Sequence, residues 1–216
     1  MQDLLTVTGI ILKAEPIGEY DRRVVILTKE RGKISAFAKG ARKQSSRLLA
    51  PTSPFCFGEF RLYVGRSSYT LSEASISNYF EELRTDFEGA YFGMYFLEAS
   101  DFCTRENNDE TEQLKLLYQS LRALTIKSIP RKLVRYIFEI KSVVIGGVFP
   151  GLPENSIWDE STLYTVSYIA DARIEKLYTF TVNETVLQEL RVLSDKYCKH
   201  YFDTKFKSLE ILEMLP

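Results

Sequence analysis

The first 75 or so residues alternate between apolar and polar positions with the period of two that is typical of β-strands. Short runs rich in Val, Ile, Leu, Thr and aromatic residues are separated by turns that contain glycine or proline. Because these intervals leave no room for crossover helices, we expect the strands to form a small antiparallel barrel of the OB type. The pattern predicts five strands, at residues 5–13, 24–28, 33–38, 55–64 and 69–74.

Near residue 79 the apolar period changes to that of amphipathic helices. Pro130 suits the first turn of one helix, and Asn183 is a plausible N-cap for another. Residues 162–169 and 176–181 are predicted to form a small β-hairpin. The fold class is therefore α+β, with a barrel domain at residues 1–78 and a mainly helical domain at residues 79–216. The helical domain carries a loop and hairpin insertion at about residues 148–181.

The net charge of −1 hides an uneven distribution of charge along the chain. Residues 1–80 hold 12 Lys/Arg and 7 Asp/Glu, a net charge of +5, whereas the remainder carries a net charge of −6. Between Arg22 and Arg66 only Glu30 and Glu59 oppose the cations. A basic half beside an acidic half indicates a polyanionic partner for the basic half.

The sequence offers no candidate for catalysis. The only histidine, His200, lies near the end of a predicted helix, where a partly exposed position is favoured over a catalytic role. Gly146 and Gly147 lack the Lys-Ser/Thr of a P-loop and the spacing of a dinucleotide-binding motif. We therefore predict that the chain is not an enzyme, has no catalytic residue and needs no cofactor.

The spacing of the cysteines and the length of the apolar runs bear on the cellular compartment in which the protein is expected. The three cysteines, Cys56, Cys103 and Cys198, are too widely spaced for a disulfide framework or a metal site. The longest apolar runs are far shorter than the roughly 20 residues that span a bilayer, and the N-terminus lacks the basic start of a signal peptide. The sequence predicts a cytoplasmic protein.

The most distinctive segment is residues 39–47, which follow the predicted third strand. It combines four cations with Gly40, two serines and Gln44, so that a phosphate backbone could approach closely and meet several donors. The alternative is a solvated basic loop, but further cations on the adjacent strands and the scarcity of carboxylates favour DNA. The predicted DNA-binding residues are Arg22, Arg23, Arg31, Lys33, Lys39, Arg42, Lys43 and Arg47.

Aromatic residues near this segment are candidates for stacking on bases, which is how OB-folds hold single strands. Phe55, Phe57 and Tyr63 share one alternating face and are predicted to be core. Tyr20 and Tyr69 lie beside turns and are the better stacking candidates.

The order of these features resembles the N-terminal domain of RecO proteins. The resemblance is carried by residues 7–13, 18–22, 27–33 and 38–43, in which a Gly-Lys strand start precedes a Lys-Gly-Ala-Arg element. Residues 48–54 and 60–63 are similar to the family's next link and strand. His200 and the Lys-Ser-Leu at residues 207–209 resemble elements near the family's C-terminus.

The resemblance implies an OB-fold followed by a helical domain, acting in recombinational DNA repair at the nucleoid. Proteins of this type bind single- and double-stranded DNA, anneal complementary strands and, with RecR, help RecA load onto DNA coated by single-strand-binding protein. The helical domain of the family receives the acidic, Phe-ended tail of single-strand-binding protein. Arg131, Lys132 and Arg135 are a candidate socket for that tail, although a solvated helix face is the simpler interpretation.

One departure from the family pattern is plain. Many relatives carry a four-cysteine zinc module after the glycine-rich end of the third helix, but residues 146–158 contain neither cysteine nor histidine. We therefore expect no zinc. A different class of function also stays open, in which the basic barrel of a protein–protein adaptor docks an acidic partner.

Overall fold

The computed structural model describes residues 3–66, 68–153 and 157–214. These residues fall into two compact units, one within residues 1–81 and 100–114, the other within residues 82–99 and 115–216.

Five strands in the first unit form a closed barrel in the order β1-β2-β3-β5-β4, in which only the short β3–β5 pairing is parallel. This architecture confirms the predicted OB-type barrel. The strands are Asp3–Ile17 (β1), Asp21–Thr28 (β2), Gly32–Ala38 (β3), Phe57–Val64 (β4) and Tyr69–Asn78 (β5).

The barrel closes because β1 is long enough to pair with β4 over its first part and with β2 over its second. A register shift between Ile11 and Lys13 marks the change of partner. At Gly9 a Cβ atom would lie 2.3 Å from the carbonyl oxygen of Leu27, so β1 and β2 approach closely only because glycine stands there. The alternating apolar positions fill the interior with Val7, Ile11, Val24, Ile26, Ile34, Phe60, Leu62 and Leu71.

A segment from farther along the chain continues the edge of β3. Glu106 forms a bridge with Gly32, and the amide of Lys33 donates to the Arg105 carbonyl at 3.0 Å. Gly32 has a φ of 63°, and a Cβ there would lie 2.3 Å from the same Arg105 carbonyl oxygen. Glycine at position 32 therefore permits this contact, which fixes the position of Glu106 on the barrel.

The second unit is helical, and its core is aromatic. Phe96 stacks on Phe138 with ring centroids 4.3 Å apart, and both side chains are fully buried. The helices among the described residues are Glu81–Thr85 (α1), Phe87–Cys103 (α2), Thr111–Leu124 (α3), Arg131–Ile145 (α4), Glu160–Asp171 (α5), Glu184–Tyr201 (α6) and Lys207–Met214 (α7), together with a 3-10 turn at Ile174–Lys176. As predicted, the side chain of Asn183 caps α6, accepting from the Val186 amide at 2.9 Å.

The predicted β-hairpin insertion is wrong. Residues 162–169 lie inside helix α5, and no described residue of 176–181 belongs to a strand. The Asp159 side chain caps α5 by accepting from the Ser161 amide at 2.8 Å, and Thr162, Val166 and Ile169 are buried at helical spacing. The β-branched residues of this segment favoured a strand, but the cap and the buried stripe outweigh that propensity.

Candidate nucleic-acid interface

The predicted DNA-binding cations lie in two groups at the two ends of the β2–β3 hairpin. Arg23 pairs with Phe37 at the end that leads into residues 39–47, whereas Leu27 pairs with Lys33 near the turn that carries Arg31. Four residues of strand, roughly 13 Å, separate these positions. The eight predicted residues therefore do not form a single cluster.

Residues 39–47, called here the basic loop, are anchored by their backbone against the β1–β2 turn. The amide of Gly40 donates to the Asp21 carboxylate at 2.7 Å, and the amide of Arg42 donates to the Tyr20 carbonyl at 2.8 Å. The Arg42 guanidinium also donates to the Gly18 carbonyl at 3.1 Å. The loop is thus held in place without using up its cationic side chains on carboxylates.

The four cations of the basic loop face solvent. Lys39, Arg42, Lys43 and Arg47 are exposed, and none of them takes part in an ion pair with the residues that the structure describes. The Lys43 ammonium lies 5.3 Å from the centre of the Tyr20 ring, a cation–π contact that keeps both groups at the surface. These side chains can bind phosphates without first breaking an internal ion pair.

Two of the predicted cations hold the barrel together instead. The Arg22 guanidinium donates to the Leu49 carbonyl and to the Thr52 hydroxyl, both at 2.9 Å. The Lys33 ammonium forms an ion pair with Asp101 at 2.9 Å and is largely covered. Both side chains already have internal partners, so the exposed predicted cations are Arg23, Arg31 and the four of the basic loop.

The outer face of β3 forms the floor of a groove of about 710 Å³, called here the β3 groove. Its position matches the face on which OB-folds bind oligonucleotides, formed by strands 2 and 3 and the loop between strands 4 and 5. The side chains that give the groove its chemistry are Arg23, Ser35, Phe37, Arg66, Tyr69 and Glu106.

Phe37 is a candidate stacking residue that the sequence analysis missed. Its side chain is 40% exposed and lies beside Arg23 across the β2–β3 pair. Lys33 and Ser35 lie on the same face of β3 as Phe37, because alternate residues of a strand share a face. Their polar side chains indicate that this face, and therefore Phe37, points to solvent. Tyr63 was predicted to be core, which is wrong because its side chain is also 40% exposed.

The two predicted stacking tyrosines differ in their surroundings. Tyr20 is 46% exposed, and a hydrogen bond to the Glu19 carboxylate raises its pKa. Tyr69 is partly buried, and its pKa is raised first by that burial and then by the charge of Glu106. Both rings stay neutral at physiological pH, as a stacking platform requires.

The predicted socket on α4 is largely neutralised by carboxylates. Arg131 pairs with Asp86 and with Glu88, the latter at 2.6 Å, while Arg135 donates to Glu139 at 2.7 Å. Lys132 is exposed, and it lines a cavity of about 370 Å³. That cavity is also lined by Glu88, Phe92, Arg135, Tyr136, Arg191, Asp195, Leu212 and Glu213.

Arg135 belongs to a buried polar network. The Glu139 carboxylate is 1% exposed and accepts from Arg135, from the Tyr95 hydroxyl at 2.7 Å and from the Ser194 hydroxyl. Burial acts to lower the pKa of Arg135, but the charge of Glu139 more than offsets it, and the pKa rises. Burial and the nearby Glu139 also raise the pKa of Asp195. Arg135 is therefore a permanently charged structural residue.

No group of three or more side chains suited to holding a metal ion occurs within the described part of the chain. His200 is exposed in the last turn of α6, and the three cysteines form no disulfide. No helix among the described residues is both long and apolar enough to cross a bilayer.

The structure thus defines an OB-fold protein with a following helical unit and an exposed basic loop beside a groove. The family model "Recombination protein O N terminal" matches residues 1–80, and "Recombination protein O C terminal" matches residues 84–157 and 151–210. The chain belongs to the recombination protein O family. This confirms the resemblance found in the sequence, and it supports a role as a mediator in recombinational DNA repair.

Several relatives match over nearly the whole length of this chain, and another matches over about two thirds of it. A protein of Acetivibrio thermocellus named "DNA repair protein RecO" is 28% identical over 98% of this chain and 97% of its own. The protein of the same name from Clostridium perfringens strain 13 is 27% identical over 96% of both chains. That of Alkaliphilus metalliredigens is 34% identical over 69% of this chain and 61% of its own.

Proposed function

We propose that this chain is a non-enzymatic recombination mediator that binds single- and double-stranded DNA and anneals complementary strands. With RecR, it helps RecA load onto DNA coated by single-strand-binding protein. The observation that carries the proposal is the basic loop, whose four cations are exposed and free of ion pairs with described residues, beside the β3 groove. A cytoplasmic site of action at the nucleoid follows from this role.

The mechanism uses two kinds of contact. The basic loop neutralises phosphates, which does not depend on sequence and serves single strands and duplexes alike. The exposed rings of Phe37 and Tyr20 offer faces on which unpaired bases can stack. When two strands are held in this way, their mutual repulsion falls and complementary bases can pair.

Salt dependence tests the phosphate contacts. We expect log K for a fluorescent single-stranded oligonucleotide to fall linearly with log of the salt concentration. The slope should be about −3 to −4 if Arg23 and each of the four cations of the basic loop neutralise one phosphate. Fluorescence anisotropy at several salt concentrations measures the slope. An affinity that does not change between low and moderate salt would rule out this mechanism.

We further propose that the cavity beside α4 receives the acidic tail of single-strand-binding protein. Lys132 and Arg191 supply cations at the cavity, while Phe92 and Leu212 supply an apolar wall for a terminal aromatic ring. Arg131 and Arg135 have internal carboxylate partners and are less available for the tail.

The tail proposal predicts the effect of one surface charge. Lys132→Glu should weaken binding of an acidic peptide that ends in phenylalanine by about tenfold, because one attractive charge becomes repulsive. Lys127→Glu is the matched control, since Lys127 is also exposed but does not line this cavity. Calorimetric titration measures the affinity of both variants for the peptide. Equal affinities of Lys132→Glu and Lys127→Glu would contradict the proposed tail-binding site.

A further inference from the structure

Glu106 is the only acidic side chain among the described residues that line the β3 groove. Its backbone pairs with Gly32, and the neighbouring Asn107 amide donates to the Arg31 carbonyl at 3.0 Å. Its side chain lines the groove together with Tyr69. A negative charge is thus held at a fixed place in a groove that otherwise carries cations and aromatic rings.

The two sides of the groove differ in charge. In the barrel β3 lies between β2 and β5. Arg23 on β2 borders the groove on one side, and Tyr69 at the start of β5 borders it on the other, together with Glu106. A second cation, Arg66, lies in the turn before β5. Among the described lining residues, the β2 side therefore contributes the positive charge of Arg23, whereas the β5 side contributes both signs.

A single strand of DNA can place its phosphates on one side and its bases on the other, which fits the unequal charge of the two sides of the groove. Its phosphates can follow Arg23 toward the basic loop while its bases turn over Phe37 toward the β5 side. An exocyclic amino group of an unpaired base can donate to a carboxylate there. A duplex turns its bases inward and exposes phosphates on both rims of each groove, so one row of phosphates would meet Glu106.

We propose that Glu106 determines strand selectivity in the β3 groove, because its carboxylate repels phosphates and favours a single strand whose bases face it. The inference rests on the proposed DNA-binding function and adds the class of strand that the groove accepts.

The test compares two DNA probes and two carboxylate variants. The dissociation constants for a fluorescent oligonucleotide and for its duplex are measured by anisotropy at one salt concentration. Glu106→Gln should tighten duplex binding about fivefold and single-strand binding at most about twofold, so the duplex-to-single-strand ratio falls. Glu59→Gln removes the same charge from an exposed position on β4 that does not line the groove, and should leave the ratio unchanged.

Thermal unfolding of each variant checks that the barrel is intact. An unchanged ratio in Glu106→Gln, or an equal change in Glu59→Gln, would overturn the selectivity proposal and leave DNA binding standing. Failure of the unmodified protein to bind either probe would overturn the proposed function as well.

Discussion

Reversing two charges of the basic loop, Arg42→Glu together with Lys43→Glu, is expected to weaken DNA binding by about a hundredfold or more at moderate salt. Both side chains are exposed and have no ion-pair partner among the described residues, so each attraction to phosphate is replaced by a repulsion. The measurement is anisotropy with single-stranded and duplex probes. Both probes should be affected, because phosphate contacts do not distinguish them.

Two further double variants make this result interpretable. Arg42 donates to the Gly18 carbonyl and Lys43 lies over the Tyr20 ring, so the first variant could also loosen the loop. Lys39→Glu with Arg47→Glu reverses two exposed loop cations that make no such contact with the residues the structure describes, and should weaken binding similarly. Lys196→Glu with Lys199→Glu makes the same change in net charge on the exposed face of α6. If this control loses as much affinity as the loop variants, net charge and not the basic loop governs binding.

The barrel could be predicted from the sequence because its strands alternate and its turns are marked by glycine and proline. The interior positions Val24 and Ile26, and Ile34 on the next strand, follow the period of two without interruption. The hairpin insertion was predicted wrongly because Thr162, Thr165 and Val166 are strand-formers by propensity. What decides their structure is the cap at Asp159 and burial at helical spacing.

The candidate site could be predicted only in part, because a list of cations says nothing of their partners. Lys33 pairs with Asp101, a residue 68 positions away, and no local pattern indicates that contact. Glu106 reaches the groove through a similar long-range pairing with Gly32. The basic loop could be predicted because its cations lie close together along the chain, and the sequence shows that kind of proximity directly.

The buried network in the helical unit leads to the second large prediction, which concerns stability. Arg135 is 13% exposed and Glu139 is 1% exposed, and the pair also involves the hydroxyl groups of Tyr95 and Ser194. Two buried charges stabilise a fold little when they are paired. Removing one of them is costly, because the other charge is left in the interior without its partner.

Arg135→Met is therefore expected to lower the free energy of unfolding of the helical unit by about 3 to 5 kcal/mol, which denaturant unfolding followed by circular dichroism can measure. Methionine fills much of the space of the arginine stem but leaves the Glu139 carboxylate without a cation. Arg191→Met is the matched control, since Arg191 is exposed at the same cavity and should cost less than about 1 kcal/mol. Adding Glu139→Gln to Arg135→Met should recover part of the loss, because the buried charge is gone while the Tyr95 hydroxyl keeps a partner. If Arg135→Met and Arg191→Met have the same free energy of unfolding, the prediction is contradicted. The buried carboxylate of Glu139 would then not need Arg135 as its counter-charge.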